Sequence, residues 1–435
     1  MPVLPSGTDL GGTTPLPKTA ALAGLRAIPR TLAHPNFGTY IAGNSVSLIG
    51  TWMQRIGVGW LAWDLTGSGA LLGLVAFADL FPSVLIAPFG GALADRADRR
   101  RVMIVAQGLV MAQAFALFAL TMTDLITPAL LVALTLFNGV VIGFNQPARL
   151  ALVPSLVPRA DLATAVAINS IVFNLARFVG PALAGATIVT AGVAGVFAAN
   201  GLSYLAFLAA LTRIRLEAPP RIEAAGGRPG LLRTVAEGIA YAVTHPGIGP
   251  MLALHAALAL TVRSFVELLP GFADEVFGRG ASGLAVLAST IGVGAIVAGL
   301  WLAQRHRAAG GTRLALVSAL LVVLSILAFT ATDTFAVAAA CVAAAGFGMV
   351  ATGVTTQTLI QTTVAEGVRG RVLGLYGLIF RGGPALGALA IGTASEWVGL
   401  QAPLAAGAVI ALLAWLVIWP RRRRIARHLD DEAPG

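Results

Sequence analysis

Charge is scarce in this chain. Asp, Glu, Lys and Arg make up 11% of its 435 residues, 57% are hydrophobic, and the mean hydropathy is +0.85. A soluble domain carries about 25% charged residues, so the composition excludes an ordinary soluble fold and points to a chain that crosses a membrane many times. Lysine is nearly absent. Lys18 stands alone, with no glycine-rich turn before it, which excludes a P-loop grip on ATP and a pump of that type. The single cysteine, Cys341 in the run AAACVAAAGFG, excludes an internal disulfide and a Cys-based zinc cluster. His34, His245, His255, His306 and His428 show neither H-x-x-x-H nor H-E-x-x-H spacing, so no metal site is expected. No nucleophile–base constellation stands in the apolar runs, so neither an enzyme nor a cofactor is expected. The opening MPVLPSGTDLGGTTPLPK lacks the apolar core of a signal peptide, and residues 1–35 read as a cytoplasmic tail, disordered or frayed.

What the chain has is apolar runs of spanning length, about 20 residues each. Six fall at 37–63, 71–94, 102–121, 129–144, 162–188 and 193–211. Six more fall at 248–269, 281–303, 314–331, 335–360, 371–394 and 403–419. The expected fold is all-α and integral to the membrane: twelve transmembrane helices in two six-helix, pseudo-symmetric bundles, residues 36–212 and 247–420. Between them 213–246 reads as a cytoplasmic linker, flexible at EAPPRIEAAGGRPG, and 421–435 as a cytoplasmic tail. Gly180-Pro181-Ala182-Leu183 recurs as Gly383-Pro384-Ala385-Leu386, in keeping with two related halves around a central site. Placing the N-terminus inside puts 24 of the 29 Lys and Arg on one set of loops and only Arg279 on the other. The formal charge of +10 therefore belongs to a membrane surface and its lipids rather than to nucleic acid.

One stretch breaks the scarcity of charge. Gly90 to Met103 reads GGALADRADRRRVM, an arginine-rich knot between the second and third spans. It resembles the G-x-x-x-D-R-x-G-R-R signature of the major facilitator superfamily, with Gly91, Asp95, Arg96, Arg99 and Arg100 in register and Asp98 where glycine is usual. SLIGTWMQRIGVGWLAWDLTGS, NQPARLALVPSLVPRADLATAVAINS and VRGRVLGLYGL resemble the bacterial branch of macrolide-efflux and enterobactin-export proteins. The resemblance runs from about 37 to 420. It implies that Asp95 faces the start of helix 11 across the halves, where a helix dipole favours a carboxylate, with Gly91 letting two helices approach closely. The knot then acts as a cytoplasmic latch, or else as an ordinary positive-inside anchor pairing with lipid headgroups. Helix 5 is similar to the antiporter motif G-x8-G-x3-G-P-x2-G-G. It keeps Gly180, Pro181 and Gly185 and substitutes alanine at Ala167, Ala176 and Ala184.

Ionisable groups inside spans are costly and mark function by default. Here they are Arg55, Asp79, Arg177, Arg263, Glu267 and Arg381. At 1.5 Å per residue, Arg55 and Asp79 lie roughly 25 and 20 Å from the cytoplasmic ends of adjacent helices, so they can pair. Arg263 and Glu267, four apart, share a helix face. A proton-coupled carrier needs a carboxylate that gains and loses a proton. Asp79 is the first candidate and Glu267 the second, the alternatives being a permanent Arg55–Asp79 pair and a solvated Glu267 at the outer mouth. Polar residues expected to line a cavity are Asn44, Ser47, Thr51, Gln54, Asn138, Asn145, Asn169, Asn174, Thr356 and Gln357, with Trp52, Trp60, Phe77 and Phe144 as apolar wall. Each of the polar ones can equally be an interhelical hydrogen bond.

The expectation is a monomeric secondary transporter of a bacterial cytoplasmic membrane, exporting small amphipathic molecules such as drugs or siderophores against protons. A proton-coupled importer of the same fold and a non-transporting membrane sensor stay open.

Overall fold

The computed structural model describes residues 28–214, 231–305 and 310–430 and is helical almost throughout. The first helices are α1 (Pro35–Thr66), α2 (Gly69–Arg96), α3 (Arg99–Met122), α4 (Pro128–Leu152) and α5 (Leu162–Arg213). Their ends follow local chemistry. Pro35 and Pro128 open helices, where a missing N–H is harmless. Ser68, Asp98 and Thr127 cap by accepting from Leu71, Arg100 and Leu130 N–H. Gly67, at φ 61°, closes α1 with its N–H on the Trp63 carbonyl.

Helix α5 is two rods. Asn169 meets Asn44, and Gly180 meets Trp52, so its first part runs parallel to α1. Gly43, Gly50 and Gly57 then face Ala210, Ser203 and Val196 in descending order, so its second part runs antiparallel. The chain reverses at Gly192, whose φ of 72° lies outside the helical region. Glycine at every seventh residue of α1 lets the two backbones close up, as small residues do where lipid supplies no hydrophobic drive.

The later helices are α6 (Leu231–Thr244), α7 (Ile248–Thr261), α8 (Phe265–Gly271), α9 (Gly280–Ala303), α10 (Gly311–Thr330), α11 (Phe335–Thr363), α12 (Glu366–Val398), α13 (Gln401–Ile418) and α14 (Arg422–Leu429). Helix α11 packs between α9 and α10, α12 on α7, and α13 on α7 and α10. The two sets of helices meet where α2 lies on α12 and α5 on α9. Ten helices among the described residues are long and apolar enough to cross a membrane by length and composition. Their outward faces carry Val105, Leu109, Val297, Leu300, Leu413 and Val417, exposed as a lipid-facing surface requires. The chain is a multi-pass membrane protein.

Residues 215–230 lie outside the described residues, but past them the expected linker holds a helix: α6 packs on α12, and Glu237 forms an ion pair with Arg371, 3.0 Å from its Nε. The C-terminal tail is docked too, because α14 buries Ile425 and Leu429 and Asp430 accepts from Thr312 N–H at 3.1 Å. At the other end, 1–27 lie outside the described residues, while Arg30 and His34 both reach the buried Asp161.

Candidate functional site

A cavity of about 380 Å³ lies between the helices, walled by α1–α5, α8, α11 and α12. At its centre Arg55 of α1 touches two carboxylates. Its Nη2 donates to Glu267 at 2.5 Å, and its Nη1 lies 3.6 Å from Asp79. Asn138 steadies Asp79 by donating at 2.9 Å. The expected Arg55–Asp79 contact is present, but Glu267 is the nearer partner.

Arg263 and Glu267 both line the cavity, but across an irregular stretch of backbone. The seventh span breaks after Thr261: Arg263 N–H bonds back to Leu258 and Phe265 N–H to Val262, so helical spacing is lost between them. Glu267 turns to Arg55, while Arg263 lies 4.0 Å from the Phe380 ring centroid. Five π-helical residues, Phe272–Val276, follow α8. Interrupted spans line sites in membrane carriers, where freed backbone groups find partners or water.

Of the other expected residues, Ser47, Thr51, Gln54, Asn138, Asn145, Arg177 and Arg381 line the cavity, as does Trp52, whose ring centroid lies 5.7 Å from the Arg55 guanidinium and 5.6 Å from that of Arg177. Asn44 is buried behind the wall, accepting from Arg149 at 2.7 Å and donating to Asn169 at 3.5 Å. Asn174 is exposed and returns its amide to the Ser170 carbonyl. Thr356 is buried and Gln357 exposed, neither on the cavity, and Trp60, Phe77 and Phe144 also lie off it.

Sequence reasoning missed Gln107, Gln113, Gln146, Arg149, Tyr204 and Phe380. Gln113 donates to the Leu134 carbonyl and accepts from Gln54 at 3.0 Å. Gln54 in turn accepts from Asn200 at 2.7 Å, while Tyr204 lies 3.3 Å from Thr51. Their signal was present: Gln107 and Gln113 are isolated amides in an otherwise apolar third span.

The two ends of the molecule differ. Away from the arginine-rich loops, the helix sets are clamped. Trp63 Nε1 donates to Asp274 at 2.9 Å, and Ser68 Oγ and Ala70 N–H donate to Glu396 at 2.7 and 2.9 Å. Below them α2 and α12 touch backbone to backbone, Gly69 and Gly73 against Gly392 and Ala388. Toward the arginine-rich loops the same helices part. A methyl on Gly91 would meet nothing within 4 Å, nor would one on Gly370, Gly374 or Gly377. The close approach expected at Gly91 is thus absent in this conformation, because α2 and α12 meet at the opposite end. Arg99 donates to the Ala151 carbonyl, and Arg100 to the Leu211 and Thr212 carbonyls, within the first helix set. Arg96 is exposed, and the Asp95 side chain lies outside what the structure describes.

A family described as transmembrane secretion effector matches residues 30–433. The chain belongs to that family. It is a membrane transporter of the major facilitator type, as its solved relatives in fold are. A bacterial homologue of the lysosomal transporter Spinster, inward-facing, superposes with a TM-score of 0.70 at 16% identity over 91% of this chain and 98% of that one. A bacterial homologue of the iron transporter ferroportin, also inward-facing, gives 0.66 at 16% identity over 90% and 98%. In sequence, the enterobactin exporter EntS of Citrobacter koseri is 28% identical over 88% of each chain. The staphyloferrin A transporter of Staphylococcus aureus is 21% identical over 91% of this chain and 98% of its own.

For this transporter the helix-5 glycines have distinct neighbours. Gly180 faces Trp52 of α1, and Gly185 faces Ala285 of α9, across the join between the helix sets. Gly383, the repeat partner of Gly180, faces Ala259 of α7. The glycine of each Gly-Pro pair therefore packs on the first long apolar helix of its own set, α1 or α7.

Proposed function

We propose that this protein is a proton-coupled exporter of small amphipathic molecules, of the siderophore or drug class, working by alternating access. Twelve spans follow if α1 counts as one and α5 as two. They then form two six-helix bundles, 36–212 and 247–420, joined through α2–α12 and α5–α9. With the arginine-rich loops and both termini in the cytoplasm, the conformation described above opens inward and is clamped outside, ready to take its cargo from the cell. The exporter reading is supported by the EntS relatives, and the small-molecule reading by the cavity's size and its mixed aromatic and polar wall.

The observation that carries the coupling is the shared arginine. Asp79, Arg55 and Glu267 sum to one negative charge, and a single proton neutralises the set. Glu267 belongs to the second bundle and the other two to the first, so protonation of Glu267 frees Arg55 and loosens a bond between bundles. Binding of a proton from outside, and its release inside, then alternates with binding of cargo. Gly91, Asp95, Arg96, Arg99 and Arg100 are read as the cytoplasmic latch of the opposite state, when α2 and α12 close at that end.

The test uses inside-out vesicles with an imposed proton gradient and a panel of dyes, macrolides and catechol siderophores. Collapse of the gradient by one compound in wild type, abolished in Asp79→Asn and Glu267→Gln, is expected. Equal responses in wild type and both variants return the trio to a structural role. Silence across the panel, with uptake of a compound into right-side-out vesicles, moves the reading to an importer.

A further inference from the structure

The cavity is lined by five arginines, Arg55, Arg149, Arg177, Arg263 and Arg381, against two carboxylates, Asp79 and Glu267: a formal excess of three positive charges. Arg55 engages both carboxylates. The other four have no ion pair among the described residues. Arg149 is held by Asn44. Arg177 lies 5.6 Å from the Trp52 ring centroid and Arg263 4.0 Å from that of Phe380, and Arg263 Nη1 is buried without a hydrogen-bond partner. Arginines inside a membrane protein without acidic partners are costly. A cation over an aromatic face recovers about 0.5–2 kcal/mol of that, well short of an ion pair's replacement for water.

We propose that the cargo itself supplies the missing charge: the site takes aromatic or amphipathic anions carrying two or three negative groups, carboxylate, sulfonate or catecholate, and rejects organic cations. Guanidinium forks bind such oxyanions bidentately, and the Trp52, Phe173 and Phe380 rings cover the apolar part. Once the anion is seated, the positive excess is cancelled and the aromatic faces are shielded from water. This rests on the export reading for its direction of transport, not for its charge preference.

The experiment is equilibrium binding to the full chain in neutral detergent, read by energy transfer from tryptophan to pyrene. Three probes share the ring: pyrene trisulfonate, pyrenemethanol and a trimethylammonium pyrene. The trisulfonate is expected to bind at least about tenfold tighter than the cation, a preference worth about 1.4 kcal/mol. Arg177→Gln, Arg263→Gln and Arg381→Gln should each weaken it about tenfold, a charged hydrogen bond's worth, and weaken pyrenemethanol much less, with thermal unfolding in detergent showing that the variants are folded. Equal or tighter binding of the cation overturns the inference. So does displacement of the trisulfonate by equimolar phosphatidylglycerol, which would make the arginines a lipid site. Gradient collapse by cationic dyes alone, in the vesicle assay, sinks this inference and leaves export standing. Trisulfonate binding with no compound driving proton flux does the reverse.

Discussion

Arg55 can satisfy one carboxylate fully and the other only in part, so the residue scale is where competition is built in. Removing it leaves Asp79 and Glu267 facing each other's charge in a partly buried site. Arg55→Gln is therefore expected to destabilise by about 1–3 kcal/mol, less than a fully buried broken pair because all three groups keep some exposure. The double variant Arg55→Gln with Glu267→Gln should recover much of that loss, and thermal unfolding in detergent over the mutant cycle reads it. Part of this was legible in the sequence. Arg55 and Asp79 sit at similar depths on neighbouring spans, and a rise of 1.5 Å per residue suffices to pair them. Glu267 was legible as an ionisable group but its contact with Arg55 was not, because no residue pattern marks the irregular turn at 262–264. Gln107, Gln113 and Tyr204 differ: a lone amide or phenol in an apolar span reads equally well as an interhelical hydrogen bond.

At the scale of elements, the contact that sets the conformation is α2 on α12. Gly73 lies against the Ala388 carbonyl, so any side chain there pushes the helices apart. Gly73→Leu is expected to disfavour the clamped end by roughly 1–3 kcal/mol, an overpacking cost, without unfolding α2, whose other neighbours are unaffected. The same change at Gly91 meets open space here, and should instead oppose the reciprocal closure. Opposite shifts in the labelling of an introduced cysteine by a membrane-impermeant maleimide, in a Cys341→Ser background, would report the two effects. Matching shifts would contradict the assignment of the two glycines to opposite ends. Spacing and composition made the spans legible, and the arginine loops gave their expected direction. Helix α6 was hidden by its neighbours, since proline, glycine and alanine at 217–230 read as linker and obscured the amphipathic turns that follow.

For the whole molecule, Ser68 and Glu396 come within hydrogen-bonding distance across the clamped end. Cysteines at both positions, bridged by a short bifunctional thiol reagent in the Cys341→Ser background, are expected to freeze this conformation. Transport should stop, cargo binding should persist, and a reductant that cleaves the bridge should restore turnover. Transport that continues with the bridge intact would mean that this end does not open in the cycle. Two Gly-Pro pairs recur in the sequence, and the similar packing of Gly180 on α1 and Gly383 on α7 supports the six-plus-six plan proposed above. The open and closed ends were not legible there, since one sequence must serve both.

The unpaired arginines give the membrane voltage a grip on the carrier. A cluster of positive charge that changes the side it communicates with moves, in effect, through part of the field, and each charge crossing fully feels about 2.3 kcal/mol per 100 mV. In the orientation proposed above, with the cell interior negative, the field draws the empty carrier into the state that faces the cytoplasm. Seating a trianion cancels that force, so the loaded carrier turns outward almost unopposed. The resting potential would then recock the transporter after every delivery, and collapsing it should slow the return of the empty carrier while leaving the outward step untouched.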